Sequence, residues 1–171
     1  MNTKLSIHRQ KDAIDTWGTP NEIFNFAQNR WGIFTLDAAA NENNNLVKRY
    51  ISEEQDALKI KWLVNYQVSE NTWLNPPYGR QMPKFIQRAL NQVQEGNTNR
   101  VVCLIASRTD TKIFQEVIFP YASELYFIKG RIKFLKNGEK VQGANFASVF
   151  VVFDQRRLKG NPLVVNYGKA E

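Results

Sequence analysis

One cysteine, Cys103, and one histidine, His8, are all that 171 residues contain of either type. A lone cysteine excludes an internal disulfide and any cysteine-based zinc cage. A lone histidine, placed in a polar leader over residues 1–14, argues against Ser-His-Asp and Cys-His catalysis. Glycine is sparse as well, with nine residues and no G-x-G, so the Rossmann dinucleotide fingerprint is missing. The one G-x-x-x-x-G, Gly138 to Gly143, runs into Ala144-Asn145 rather than the Lys-Ser/Thr of a P-loop. No apolar run approaches the ~18 residues of a membrane helix, and the polar start gives no signal peptide. Membrane partners and metals are therefore not expected.

What is present points to a folded enzyme-sized unit. Hydrophobic residues make up 43% of the chain, with 11 Phe, 6 Tyr and 4 Trp, which is ample for a core without staples. No repeat or Pro-rich linker divides it. The net charge of +7 is uneven: residues 1–75 carry −1 and residues 76–171 carry +8. A basic half favours an anionic partner, most simply nucleic acid.

Patterning gives a coarse order of elements. Thr19-Pro20 reads as an N-cap and first residue of a helix through Ile23, Phe24 and Ala27 toward Trp31. Ile33 to Leu36 reads as a strand ending at Asp37, and Thr72-Trp73-Leu74 as one stopping at Asn75. Residues 46–68 are weakly patterned. Met82, Phe85, Ile86, Ala89, Leu90 and Val93 form one helical stripe. Val101 to Ala106 is a continuous apolar run, the mark of a strand buried on both faces, with Cys103 in its core. A helix with Ile113, Phe114, Val117 and Ile118 follows. Leu125 to Ile128 and Phe146 to Phe153 are two late strands around a basic hairpin. The alternation predicts a three-layer α/β fold with a mainly parallel sheet and an antiparallel edge.

Chemistry concentrates in Asn75-Pro76-Pro77-Tyr78, at a strand end where open α/β sheets place ligands. The prolines hold this segment extended and supply carbonyls without competing N–H donors. The Asn75 side-chain oxygen and the Pro76 carbonyl are thus free to converge on one NH₂ group, and Tyr78 offers a face for a planar ring. Two acceptors on an exocyclic amine favour a pyramidal nitrogen and aim its lone pair at a methyl donor. No cysteine or histidine is needed.

In this arrangement the chain resembles the phage-type DNA adenine-N6 methyltransferase family. The resemblance rests on Trp17-Gly18-Thr19-Pro20, Phe34-Thr35-Leu36-Asp37-Ala38-Ala39-Ala40, Asp56-Ala57-Leu58 leading to Trp62, and Asn75-Pro76-Pro77-Tyr78-Gly79. It continues through Ser107-Arg108-Thr109-Asp110-Thr111, Lys129-Gly130-Arg131-Ile132-Lys133-Phe134 and the strand ending at Phe153. It implies the Rossmann-like class I fold with seven strands, a methyltransferase domain over 15–156 and a C-terminal extension over 157–171. It also implies S-adenosylmethionine as cofactor and DNA as partner, in the cytoplasm of a bacterial host carrying the phage or prophage.

Residue by residue, the resemblance assigns Asn75, Pro76, Pro77 and Tyr78 to catalysis. Trp17, Thr19, Pro20, Asp37, Ala38, Ala39, Asp56 and Asn75 fall to the cofactor. Alanines stand here where methyltransferases usually have glycines after the first strand. Arg80, Arg108, Lys129, Arg131, Lys133 and Phe134 fall to DNA, with Phe134 against the target base or its neighbours. Charge alone does not separate DNA from RNA, and the amine grip also suits cytosine-N4 or a protein glutamine. A nucleic-acid-binding module without catalysis is the reading of a different class.

Overall fold

A computed structural model describes residues 17–65, 67–136, 138–141, 143–158 and 163–170. His8 lies outside the described residues. The strands are β1 (Leu36–Asp37), β2 (Leu63–Val64), β3 (Gln67–Leu74), β4 (Thr98–Ala106), β5 (Glu124–Ile128), β6 (Leu135–Lys136), β7 (Glu139–Lys140), β8 (Ser148–Asp154) and β9 (Val164–Gly168). The helices are α1 (Asn21–Trp31), α2 (Met82–Gln94), α3 (Phe119–Tyr121) and α4 (Gln155–Leu158), with a π-helical turn over Phe114–Ile118 leading into α3.

Seven strands form one sheet in the order β1-β3-β4-β8-β5-β9, with β2 paired to the start of β3. The pairs β1–β3, β3–β4 and β5–β9 are parallel, whereas β8 runs antiparallel to both β4 and β5. The expected mainly parallel, Rossmann-like sheet is therefore present. Of its two antiparallel strands, β2 lies beside the start of β3, whereas β8 is inside the sheet between β4 and β5; residues 164–168, in the stretch read as an extension, add the outermost strand beside β5.

Period-two alternation divides the core into two layers. Val101, Cys103 and Ile105 of β4, with Val149, Val151 and Phe153 of β8, pack under Ile86, Leu90 and Val93 of α2 and against Phe114 and Ile118. Val102, Leu104, Phe150 and Val152 face the other way, onto Ile23, Phe24, Ala27 and Trp31 of α1. That second layer is aromatic: Phe150 meets the rings of Phe26, Trp31 and Trp73 at centroid distances of 5.1–6.3 Å. Cys103 is core, as expected, and burial pushes its thiol up.

Two local expectations need correction. Pro20, not Thr19, is the N-cap of α1, and no side chain caps the helix. The 33–36 strand forms only from Leu36, and Ile33 is 69% exposed. The physical cause is Gly32, at φ 95°, which turns the chain over Asn71; the Asn71 amide holds the carbonyls of Trp31 and Ile33 in place of ladder bonds.

Parallel strands bring several loops to one end of the sheet. Asp37 ends β1, Asn75 follows β3, Arg108 follows β4 and Lys129 follows β5. Among the described residues no helix is long and apolar enough to cross a membrane.

Candidate active site

A cavity of about 580 Å³ opens at this end of the sheet. Its wall includes Trp17, Thr19, Asp37, Ala38, Ala39, Asp56, Asn75, Pro76, Pro77 and Tyr78, so most of the predicted catalytic and cofactor residues converge. Pro20 does not reach it; its carbonyl instead receives the Ile23 and Phe24 amides at the start of α1. Among the described residues no His, Cys, Asp and Glu cluster is arranged to hold a metal.

The two loops that carry the chemistry are tied together. The Ala38 amide donates to the Trp73 carbonyl (2.9 Å), which sets the Asp37-Ala38-Ala39 turn beside the strand that delivers Asn75. Asn75 donates its Nδ2 to the Trp17 carbonyl (3.0 Å). Its Oδ1 is buried and has no partner. The hydroxyls of Thr19 and Tyr78 are also buried and unpartnered, and burial pushes the Tyr78 phenol up, so it stays neutral. An unpaired buried polar atom is costly in a folded protein. Three of them belong to residues that line one cavity.

Asp37 is 2% exposed. Its Oδ1 accepts the Ala39 amide at 3.4 Å and its Oδ2 the Leu46 amide at 3.3 Å. Loss of hydration outweighs these bonds and raises its carboxyl from 3.8 to about 6. A group whose folded value is raised binds its proton more readily when folded. Stability therefore falls as pH climbs through about 4–6. Asp37→Asn has no such proton to lose. Between pH 4 and pH 7 the variant should gain about 2 kcal/mol on the wild type, most of the free energy by which the folded chain holds that proton more tightly than the unfolded one. Denaturant unfolding of both proteins across that range checks this; parallel stability curves would count against a proton-binding Asp37.

Asp56 takes a left-handed backbone, φ 55°, which Asp tolerates better than most residues. Its carboxylate pairs with Lys59 at 2.8 Å and accepts the Leu58 amide, which together hold it below the usual carboxylate range. The loop is anchored by Trp62, fully buried, with its indole N–H on the Ala57 carbonyl and its amide on Gln92. Sequence reasoning misses Ser52, Glu53, Asn41, Asn44 and Gln81, which also line the cavity. A parallel bridge between Asp37 and Tyr50 explains the first two: residues 49–51 run beside β1 and deliver Ser52 and Glu53 to its end. The signal for them is the short apolar pair Tyr50-Ile51 before two polar residues.

The residues expected on DNA divide. Arg80, Arg108, Lys129, Arg131 and Lys133 are exposed and lie outside the cavity wall. Lys140, at the end of the hairpin, pairs with Glu22. Phe134 is a correction: it is fully buried, stacked on Trp17 at 5.4 Å and edge-on to Tyr78 at 5.8 Å. The alternation of residues 131–134 turns cations outward and puts Ile132 and Phe134 into the core, so the ring supports the site from behind.

Comparison with known proteins bears on the fold and the family. A solved structure described as a candidate RNA methyltransferase of Pyrococcus horikoshii superposes with a TM-score of 0.52, covering 82% of this chain and 87% of its own at 11% identity. That likeness concerns the fold. The DNA N-6-adenine-methyltransferase of Haemophilus phage HP1 is 32% identical, covering 89% of this chain and 86% of its own length. The protein of the same description from Escherichia phage T1 is also 32% identical, over 86% of this chain; the match spans 66% of that longer protein. Residues 6–168 match the family described as DNA N-6-adenine-methyltransferase (Dam), and the chain belongs to that family.

Proposed function

We propose that this chain transfers a methyl group from S-adenosylmethionine to the exocyclic N6 of adenine in DNA, acting in the bacterial cytoplasm on phage or prophage DNA. The observation that carries this reading is the Asn75 Oδ1, buried and unpartnered while its amide nitrogen is already engaged. The adenine N6 is out of reach inside a duplex, so the base must leave the stack to meet it. Asn75 Oδ1 and the Pro76 carbonyl then accept the two N6 hydrogens. The amine pyramidalises between them, and Tyr78 bears on the face of the ring.

The donor set fits the cofactor. Asp37 and Asp56 suit its ammonium and ribose hydroxyls, the Thr19 hydroxyl gains a polar partner, and Ala38 and Ala39 allow close approach. When bound, S-adenosylmethionine supplies the methyl from its sulfonium, whose sulfur keeps the bonding pair and leaves as the neutral thioether. The nitrogen's lone pair forms the new bond. The resulting ring-amine cation is acidic enough to lose its proton to water, so Asn75 need not act as a base.

Exposed cations on the hairpin suit the phosphate backbone. Each phosphate contact adds about 0.9 to the slope of log K against log salt. Arg131→Ala and Lys133→Ala should each lower that slope by nearly one unit, equally on target and non-target DNA. Lys140→Ala should lower it less, because Glu22 already takes its charge. Fluorescence-anisotropy titrations decide; identical slopes would move the DNA surface to Arg80 and Arg108.

The reading as a whole is tested by mass spectrometry of nucleosides from cells expressing the protein. N6-methyldeoxyadenosine is expected in DNA. Methylated cytosine, or methylation confined to RNA, would overturn it.

A further inference from the structure

A carboxamide has two faces of nearly equal shape and opposite hydrogen-bonding character. Turned by 180°, Asn75 would present NH₂ to the cavity and repel an amine rather than grip it. The fold must choose between these orientations, and the Asn75 Nδ2 donates to the Trp17 carbonyl, 3.0 Å away. A carbonyl takes only a donor, so it holds the nitrogen and leaves Oδ1, buried and without a partner, as the free acceptor of this cavity-lining residue.

Trp17 is itself held in two ways. The next residue, Gly18, exchanges both backbone bonds with Leu135 at 2.8 Å, which joins it to β6 of the basic hairpin. A Cβ on Gly18 would stand 3.4 Å from that of Leu135, so the two backbones are in close contact. The Trp17 indole stacks on Phe134 at 5.4 Å and lies over Phe146 at 6.3 Å. The carbonyl that sets Asn75 is thus fixed by a ring stack and by a strand bridge.

We propose that Trp17 is a positioning residue for Asn75: its packing on the hairpin holds the carbonyl that selects the productive orientation of the Asn75 amide. This rests on the amine-grip reading above and goes beyond it. A mere wall of the cavity would act on cofactor affinity and would not depend on what stands at position 75.

The test combines a mutant cycle with an activity-free measurement. Trp17→Ala should lower kcat by roughly tenfold, within the range for coupled neighbours, with KM for S-adenosylmethionine little changed. Trp17→Phe, which keeps an aromatic stack, should restore most of it. In an Asn75→Asp background no donor remains to meet the Trp17 carbonyl and the two carboxylate oxygens are equivalent, so that carbonyl selects no orientation. There Trp17→Ala should cost little in kcat. By NMR on the full chain without ligands, the Asn75 side-chain amide protons should be protected and should exchange about tenfold faster in Trp17→Ala. Equal losses in both backgrounds, or unchanged exchange, would overturn the proposal. If the wild type methylates no DNA while the exchange result holds, the methyltransferase reading fails and the positioning of Asn75 stands.

Discussion

Asn75→Ala is expected to lower the rate of methyl transfer by about 10²–10³ while S-adenosylmethionine still binds, since removal of one preorganised polar partner at a reacting centre has losses of that order. The substitution deletes the acceptor that is buried without a partner and leaves Asp37, Asp56 and Thr19 untouched. It also releases the Trp17 carbonyl, whose segment keeps its two bonds to Leu135. Single-turnover kinetics with saturating cofactor measure the step, and calorimetry measures the cofactor. A variant with near-full turnover would sink the amine grip. One that lost cofactor affinity in proportion to rate would place Asn75 in binding rather than transfer.

Phe134→Ala should destabilise the protein by about 3–5 kcal/mol, the usual consequence of emptying a buried aromatic site. The ring is fully buried among Trp17, Tyr78 and Phe146, so its loss removes the support of two residues that line the cavity. Denaturant unfolding should show a lower midpoint, and the salt slope of DNA binding should not move. An unchanged midpoint with weakened DNA binding would mean that the ring leaves the core to meet a base.

The legible parts of the sequence are those where one residue type does one thing. The stripe from Met82 to Val93 forms α2, and the apolar run around Cys103 forms a strand covered on both faces. Asn-Pro-Pro-Tyr is readable because two prolines leave an Asn few local partners, and its side chain does face a cavity. Harder to read are residues whose roles depend on distant chain. Thr19 looks like a cap in isolation, but Pro20 takes that place, and Thr19 lines the cavity with its hydroxyl buried and unpartnered. Phe134 follows three cations and reads as part of a DNA surface. Its position in the alternation with Ile132 is the better guide, and the ring it meets is 117 residues earlier in the chain. Glu53 and Ser52 are hidden because the strand that delivers them is a single bridge long.

The placement of β8 has a consequence for synthesis on the ribosome. β4 and β5 do not pair with each other; each is bonded to β8, which is made after both. Until residue 154 has emerged, one edge of β4 and both edges of β5 have no partner, and such edges recruit other chains. Folding of this sheet therefore waits for β8, which closes the gap between β4 and β5, and then for residues 164–168, which cover the far edge of β5. Synthesis that stalls between residues 128 and 148 should yield product captured by chaperones or lost to aggregation, whereas release after residue 168 should not.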